Sequence, residues 1–313
     1  MAMRVGRVGT DRRSALRSLV SAVLAVVSAL SVTAAPGGAA TSEMDALAGP
    51  AAPADLHVMT FNLRFGSPAE PNSWAQRRPV MRSLLTTEKP DLIGTQEGLA
   101  GQLHDLETDL GPGYDFLGKG RLGGDRSEFM AVFYRRERLT PQAYGNFWLS
   151  DTPEVPGSDT WNGFAVRMVT WVRFLDRATG KRFYAVNTHL DNLSELARRR
   201  SAELIRTRVA AFEPRLPTIL TGDFNTPAGA SSEVYGDFVE QAGYRDTWTT
   251  APVRGPAYGT FHGYQPLQPD GPRIDWILTS PAITVSAVLI NTYRRDTQFP
   301  SDHLPVQARL RLP

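Results

Sequence analysis

Polar side chains that bind metal ions or transfer protons recur at the ends of short apolar runs in this sequence. In LTGDFNTP, residues 220–227, a carboxylate and a carboxamide two residues apart follow such a run. Taken singly, each of these groups has an ordinary explanation, since Asp and Asn often form turns. Together they are harder to explain, because burying several of them unpaired would cost roughly several kcal/mol each. We therefore expect these groups to converge on a common ion or on one another. The groups are Asn62, Glu97, His189, Asp223, Asn225, Asp275, Asp302 and His303.

The chemistry of these groups selects the class of ion. The chain has no cysteine and five histidines, so the candidate ligands are mostly oxygen atoms. Oxygen ligands without thiolate favour a hard cation, Mg²⁺ or alternatively Mn²⁺, over zinc. Because Mg²⁺ in proteins commonly keeps positions for water and substrate phosphate, the expected substrate is a phosphate ester.

The elements that must position these groups are short strands. Apolar runs of four to eight residues, rich in β-branched or aromatic residues, recur from LHVMTFNL to VQARLRL, and several alternate apolar with polar residues. Residues 193–212 instead show a helical pattern with solvent-facing arginines. Its predicted apolar stripe contains Leu193, Leu196, Ala197, Leu204, Ile205, Val209 and Phe212. Strand-rich segments with interspersed helices predict packed sheets covered by helices.

Six motifs occur in a recognisable order: TFNLRF, GTQEG, NTHLDN, LTGDFNTP, RIDWILTS and SDHLPV. In content and order they resemble the motifs of the endonuclease/exonuclease/phosphatase superfamily, and the resemblance runs from about residue 56 to residue 310. It implies an α/β fold of the DNase I-like kind, a four-layer α/β sandwich. In that fold two mostly antiparallel sheets lie face to face, flanked by helices, with the active site at one edge.

The resemblance also implies roles for individual residues. Asn62 and Glu97 take the metal-site positions, with Glu97 the principal ligand, and Asp302 matches the second acidic metal position. Asp223 and Asn225 match the positions that orient or deprotonate the attacking water and hold the phosphate. The implied reaction is in-line attack of water on phosphorus, with Mg²⁺ and two histidines stabilising the added negative charge.

The two histidines are expected to have carboxylate partners. His303 matches the residue that contacts the scissile phosphate, and Asp275 resembles its partner. A carboxylate on the second ring nitrogen orients a histidine and raises its pKa. Glu128 resembles the nuclease-type partner of His189, although a surface charge on a strand is the alternative for Glu128.

The segment NFWLSDTPEVPGSDTWNGFAVRMVTWVRF predicts one wall of the substrate site. Its aromatic residues Trp148, Trp161 and Phe164 would stack on a base or sugar, and Arg167 would bind a phosphate oxygen. Packing of the aromatic residues against the sheet is the alternative. The leading function is a metal-dependent phosphohydrolase of a small, lipid-linked or sugar-linked phosphate ester. An extracellular DNase I-like endonuclease and a catalytically silent binding module are the alternatives.

The N-terminal residues predict export. Five arginines precede an apolar run that ends in TAAPGGAA, which is typical of a secretory signal peptide over residues 1–40. A twin-arginine signal and a permanent N-terminal anchor are alternatives, but the apolar run is short for a membrane span. Residues 41–54 read as a linker and residues 55–313 as one catalytic domain, which we expect to be secreted and monomeric, without a transmembrane segment.

The charge of the mature chain bears on its partners. The whole chain has 34 basic and 32 acidic residues, and removal of residues 1–40 takes away five arginines and Asp11. The remaining formal net charge is −2, with 29 basic and 31 acidic residues. Proteins that hold long DNA through many phosphate contacts usually carry a basic surplus, so nucleic acid is not the favoured partner.

Overall fold

The structure of this chain is a computed structural model that describes residues 49–313. The predicted signal peptide and residues 41–48 of the predicted linker lie outside the described residues. The strands are β1 (Leu56–Asn62), β2 (Leu92–Gln96), β3 (Gly98–Leu99), β4 (Tyr114–Leu117), β5 (Glu128–Phe129), β6 (Val132–Arg135), β7 (Leu139–Trp148), β8 (Met168–Asp176), β9 (Arg182–His189), β10 (Thr218–Asp223), β11 (Arg245–Asp246), β12 (Val253–Arg254), β13 (Asp275–Thr279), β14 (Thr284–Ile290) and β15 (Val306–Arg311). The helices are α1 (Trp74–Glu88), α2 (Ala100–Leu110), α3 (Glu195–Ala210), α4 (Glu233–Gly236), a π-helical segment (Asp237–Gln241) and α5 (Thr247–Thr250).

Two mixed sheets contain most of the strands. Sheet 1 has the order β12-β14-β15-β1-β2-β6-β4, and sheet 2 has the order β11-β13-β10-β9-β8-β7. Most neighbouring strands are antiparallel, but β1 pairs with β2 in parallel and β9 pairs with β10 in parallel. Because both parallel pairs lie near the middle of their sheets, the carboxyl ends of four central strands are brought to one edge of the sandwich.

The apolar residues divide into three main clusters, which define four layers. One cluster lies between the sheets and includes Val58, Ile219 and Ile277. The second packs sheet 2 against α3 and α4, and the third packs sheet 1 against α1 and α2. The predicted four-layer DNase I-like α/β sandwich, with two mostly antiparallel sheets flanked by helices, is therefore confirmed. None of the helices in residues 49–313 combines the length and apolar character that a membrane span requires.

The helix predicted within residues 193–212 is present as α3, with one difference from the predicted stripe. Ser194 caps the helix by accepting a hydrogen bond from the backbone N–H of Ala197. Ala197 and Ile205 are buried, as the stripe requires. Leu193 and Leu196 are exposed instead, and Leu193 precedes the helix, which begins at Glu195.

A buried polar seam joins the two sheets beneath the edge where the central strands end. Asn187 of β9 accepts a hydrogen bond from Gln96 Nε2 of β2 at 2.7 Å and donates one to the carbonyl of Thr95 at 2.8 Å. Thr221 of β10 donates to Asn187 Oδ1 at 3.1 Å. The sheets approach so closely here that a Cβ atom on Gly94 would lie 2.1 Å from Thr221 Oγ1. Only glycine fits at this position without displacing the facing strand.

Candidate active site

Strand pairing brings the predicted site residues together at one edge of the sandwich. In sheet 1, Asn62 at the end of β1 is in register with Gln96 at the end of β2, and Glu97 follows directly. In sheet 2, Asp223 is in register with both His189 and Asp275. The register therefore places these side chains at neighbouring strand ends, as the sequence predicted.

Glu97, Asp223 and His303 form the centre of the site. One ligand atom from each lies within 4.8 Å of the others, and no second group of this kind occurs among residues 49–313. Asn62 Nδ2 donates to Glu97 Oε1 and to Asp223 Oδ2, both at 2.9 Å. The amide of Asn62 thus ties the carboxylate of sheet 1 to that of sheet 2.

Two of the site residues have left-handed backbone conformations, which residues other than glycine rarely adopt. The φ angle is 62° at Glu97 and 51° at Asn225. At Glu97 this conformation directs the carboxylate back towards the backbone N–H of Phe65, which donates to Glu97 Oε2 at 3.1 Å. At Asn225 the backbone N–H donates to Asp223 Oδ1 at 3.0 Å. Strain of this kind persists where the surrounding contacts fix a functional geometry.

His303 is held in its protonated form. Its Nδ1 lies 2.9 Å from Asp275 Oδ2, and its Nε2 lies 3.8 Å from Asp223 Oδ2. Burial alone would lower the pKa of His303, but the carboxylates of Asp275 and Asp223 outweigh burial and raise it to about 10. The predicted pairing of Asp275 with His303 is therefore present, and His303 can donate a hydrogen bond to an anion.

His189 is neutral, and its predicted partner is elsewhere. Asn225 Nδ2 lies 3.0 Å from His189 Nε2, while His189 Nδ1 has no hydrogen-bond partner among residues 49–313. Burial and the positive charge of Arg167 hold the pKa of His189 well below its ordinary value. The neutral ring accepts from Asn225 and leaves His303 as the charged histidine. Both histidines were predicted to stabilise negative charge, and in this structure the pKa shifts give a positive charge to His303 alone.

The pairing of Glu128 with His189 is wrong in this structure. Glu128 forms a bidentate ion pair with Arg121. Arg121 Nη1 lies 2.8 Å from Glu128 Oε2, and Arg121 Nη2 donates to Glu128 Oε1 at 2.9 Å. The loop between β4 and β5 brings Arg121 beside Glu128, and a guanidinium offers a carboxylate two donors where an imidazole offers one. The pair lines the same cavity as His189, so Glu128 belongs to the site in another role.

Of the residues predicted for the substrate wall, Arg167 and Phe164 line the cavity, whereas Trp148 and Trp161 do not. Arg167 is buried and its Nη2 donates to Asn192 Oδ1 at 3.1 Å, while its Nη1 has no hydrogen-bond partner within residues 49–313. Trp161 is only 7% exposed, packs with sheet 2 and α3, and donates from Nε1 to Asp151 at 2.8 Å. Its prediction as a substrate residue is wrong, because the ring closes the loop onto the core.

The predicted metal residues occupy different positions relative to the central group. Glu97 belongs to it, whereas Asn62 turns its amide oxygen to the backbone N–H of Arg64 at 2.9 Å. Asp302 lines the cavity, and its Oδ2 lies 3.7 Å from Arg64 Nε. Asp223, predicted as a catalytic residue, lies in the central group with Glu97, whereas Asp302 is outside that group.

The residues present fit a hard divalent cation. Burial, and after it the neighbouring carboxylate of Asp275, raise the pKa of Asp223 to about 7, because both disfavour its charged form. Asp275 Oδ1 is also buried and has no hydrogen-bond partner in the described chain. Carboxylate oxygens with uncompensated charge are the ligands that Mg²⁺ and Mn²⁺ bind.

The site opens into a cavity of about 390 Å³, a size that suits a small ligand. Sequence analysis missed Phe65, Arg121, Asn192 and Phe261 among its lining residues. Phe65 and Asn192 are the last residues of the motifs TFNLRF and NTHLDN, and their place in those motifs could have suggested them. A larger cavity, of about 670 Å³, lies near Tyr184 and Thr218 at the opposite ends of β9 and β10. It contains none of the predicted site residues, so the smaller cavity is the candidate active site.

Comparison with known proteins agrees with this geometry. The mannosyl-6-phosphatase of Bacteroides thetaiotaomicron VPI-5482 is 35% identical, with a TM-score of 0.76 over 82% of this chain and 99% of that chain. An endonuclease/exonuclease/phosphatase from Bacteroides vulgatus is 34% identical, with a TM-score of 0.78 over 83% of this chain and 99% of that chain. An uncharacterised protein of Acanthamoeba polyphaga mimivirus is 32% identical over 164 residues, which cover 49% of this chain and 59% of that protein.

The extent of the family match decides the assignment. The Endonuclease/Exonuclease/phosphatase family matches residues 59–303, a range that begins in β1 and ends at His303. It therefore includes all of sheet 2, most of sheet 1 and every residue of the central group. The chain belongs to the endonuclease/exonuclease/phosphatase family and is a hydrolase of phosphate esters.

Proposed function

We propose that this protein is a secreted, Mg²⁺-dependent phosphohydrolase that cleaves a small phosphate ester by in-line attack of water. The observation that carries the proposal is the meeting of Glu97, Asp223 and His303 in one cavity of small-ligand size. Among the small, lipid-linked and sugar-linked esters, a sugar phosphate is favoured. One relative is 35% identical, and the match covers 99% of its length. That relative is a mannosyl-6-phosphatase.

The residues of the cavity divide the chemistry between them. Glu97 would hold the ion, with Asp223 the nearest second carboxylate, and the ion when bound would supply positive charge to the phosphoryl oxygens. Asp223, with a pKa near neutrality, would accept a proton from the attacking water as the new P–O bond forms. The ester P–O bond breaks, and the departing oxygen takes a proton from His303. Arg167 would donate to a non-bridging phosphate oxygen through its unpartnered Nη1.

A carboxylate substitution tests the site directly. We expect Glu97→Gln to lower kcat by a factor of about 10³, because the principal ligand loses its charge. Glu203→Gln changes an exposed glutamate on α3 in the same way and should leave kcat at the wild-type value. Chelation with EDTA should abolish hydrolysis, and Mg²⁺ or Mn²⁺ should restore it. Normal metal-dependent turnover by Glu97→Gln would refute the assignment of the site.

The choice of substrate class is tested with the wild-type protein. Mannose 6-phosphate, bis-p-nitrophenyl phosphate and supercoiled plasmid represent a sugar monoester, a simple diester and DNA. We expect the highest kcat/KM for the sugar monoester. Faster nicking of plasmid, at equal Mg²⁺, would favour the endonuclease alternative instead.

Secretion is proposed on the N-terminal pattern of arginines, apolar run and small residues. The test is to express the full chain in a bacterial host and to sequence the N-terminus of the protein recovered from the medium. We expect the mature chain to begin close to residue 41. An intact N-terminus on protein that stays with the cells would contradict export.

A further inference from the structure

Three exposed phenylalanines surround the mouth of the active-site cavity. The chain has 14 phenylalanines. Phe65, Phe164 and Phe261 are 47%, 67% and 54% exposed, whereas the other eleven are buried or half-buried. All three exposed rings line the active-site cavity, although they come from three loops far apart in the sequence. A cluster of exposed apolar side chains marks a surface that binds a ligand, a protein or a membrane.

The positions of these rings are fixed relative to the catalytic groups. The backbone N–H of Phe65 donates to Glu97 Oε2 at 3.1 Å, and that of Phe164 donates to the buried Asp191 Oδ2 at 2.7 Å. The ring of Phe261 lies 5.0 Å from the ring of His303, centroid to centroid. Backbone hydrogen bonds hold Phe65 and Phe164, and Phe261 packs against His303. The three rings therefore lie beside the group that would bind the phosphate.

Polar groups in the same cavity are suited to hydroxyl groups. The Arg121–Glu128 ion pair lines the cavity, and each oxygen of Glu128 that accepts from Arg121 keeps a further lone pair for a hydroxyl donor. Asn192 supplies an amide at the same wall. An alkyl chain would cover these charged groups without hydrogen-bonding to them, which is unfavourable.

We propose that Phe65, Phe164 and Phe261, with the Arg121–Glu128 pair, bind the ring of a monosaccharide phosphate. This inference rests on the proposed function, because it needs the phosphate on the Glu97–Asp223–His303 group. The C–H face of a pyranose packs on the aromatic rings, and its hydroxyl groups bond to Glu128 and Arg121. The cavity of about 390 Å³ accommodates a ligand of monosaccharide phosphate size but not a polymer enclosed within it.

The test compares two substrates with the same primary phosphate ester, one with a ring and one without. Mannose 6-phosphate and glycerol 1-phosphate serve this purpose, and the readout is the ratio of their kcat/KM values. Phe164→Ala should lower this ratio about tenfold. Phe164→Tyr keeps an aromatic ring and should therefore keep the wild-type ratio. Tyr144→Ala removes an aromatic side chain that is 50% exposed on β7 outside the cavity, and should keep the wild-type ratio.

The outcomes separate this inference from the proposed function. If the wild-type protein hydrolyses phosphate esters but Phe164→Ala and Phe65→Ala keep the wild-type ratio, the ring-binding role is refuted and the proposed function stands. A higher kcat/KM for dodecyl phosphate than for mannose 6-phosphate would also refute it, because the rings would then serve an alkyl chain. Absence of hydrolysis of every phosphate ester would refute both. Urea unfolding of each variant shows whether it is folded under the conditions of the assay.

Discussion

Substitution of Gly94 by alanine should damage stability and catalysis together. Gly94 lies in β2 where the two sheets approach closely, and a Cβ atom there would lie 2.1 Å from Thr221 Oγ1 and 2.7 Å from Asn187 Oδ1. Ordinary van der Waals contact for such a Cβ begins at 3.4 Å. Both neighbours are buried in β9 and β10, so the added methyl group can be accommodated only if the sheets move apart.

The size of both effects follows from this overlap. Overpacking a close-packed interior typically costs about 1–3 kcal/mol, and the depth of this overlap places Gly94→Ala at about 3 kcal/mol. Glu97 follows Gly94 by three residues in sheet 1, whereas Asp223 belongs to sheet 2. Separation of the sheets therefore moves Glu97 away from Asp223. A displacement of about 1 Å in a catalytic site can lower turnover about 10²-fold.

The assays are urea unfolding and steady-state hydrolysis of a phosphate ester. Gly101→Ala is the matched control, because it lies in α2 and its Cβ would meet no atom within 4 Å. It should increase the free energy of unfolding by about 0.5–1 kcal/mol and leave kcat/KM unchanged. Thr221→Ala in the Gly94→Ala background removes the nearest atom and should recover part of the stability. A Gly94→Ala protein with wild-type stability and wild-type kcat/KM would refute the close approach of the sheets.

Three further predictions concern individual side chains. Asp275→Asn should lower kcat about 10²-fold and move the alkaline limb of the pH–rate profile to lower pH, because the pKa of His303 falls from about 10 once this carboxylate is lost. An unchanged profile would show that Asp275 does not hold the proton on His303. Trp161→Phe should lower the free energy of unfolding by about 1 kcal/mol through loss of the bond to Asp151, with kcat/KM unchanged. A selective rise in KM would restore Trp161 to the substrate site. Burial lowers the pKa of His57 to about 3, below its unfolded value, so its contribution to stability is full above pH 6.5 and decreases as pH falls. This contribution makes the free energy of unfolding fall by about 1.4 kcal/mol per pH unit between pH 6 and pH 4, and urea unfolding should show that His57→Gln loses this slope. Equal slopes in the two proteins would contradict the neutral buried state of His57.

The fold and the floor of the site could be predicted because they depend on local patterns. Short apolar runs specify strands, and a polar residue at the end of such a run stays at that end whatever the order of the sheet. The motifs around Glu97, Asp223 and His303 therefore indicated which groups meet and that their ligand chemistry suits a hard cation. The pairing of Asp275 with His303 was implied by the resemblance to the endonuclease/exonuclease/phosphatase superfamily.

The walls of the site could not be predicted in the same way. Glu128 has two possible partners, and the path of the loop between β4 and β5 gives it Arg121 rather than His189. Trp161 and Phe164 are close neighbours in one loop, yet the first is buried and the second is exposed in the cavity. No periodicity distinguishes two such aromatic residues, because loop residues have no regular alternation of faces.

Local sequence patterns were enough to predict the class of fold, the strand ends that carry the chemistry and the oxygen-rich character of the metal site. Packing of the whole chain was needed to establish that His189 is neutral while His303 is charged, that Glu128 pairs with Arg121, and that three phenylalanines surround the cavity. This division follows from the range of the interactions. Strand formation depends on neighbours along the chain, whereas charge state and cavity lining depend on groups that approach only when two sheets and three loops are packed together.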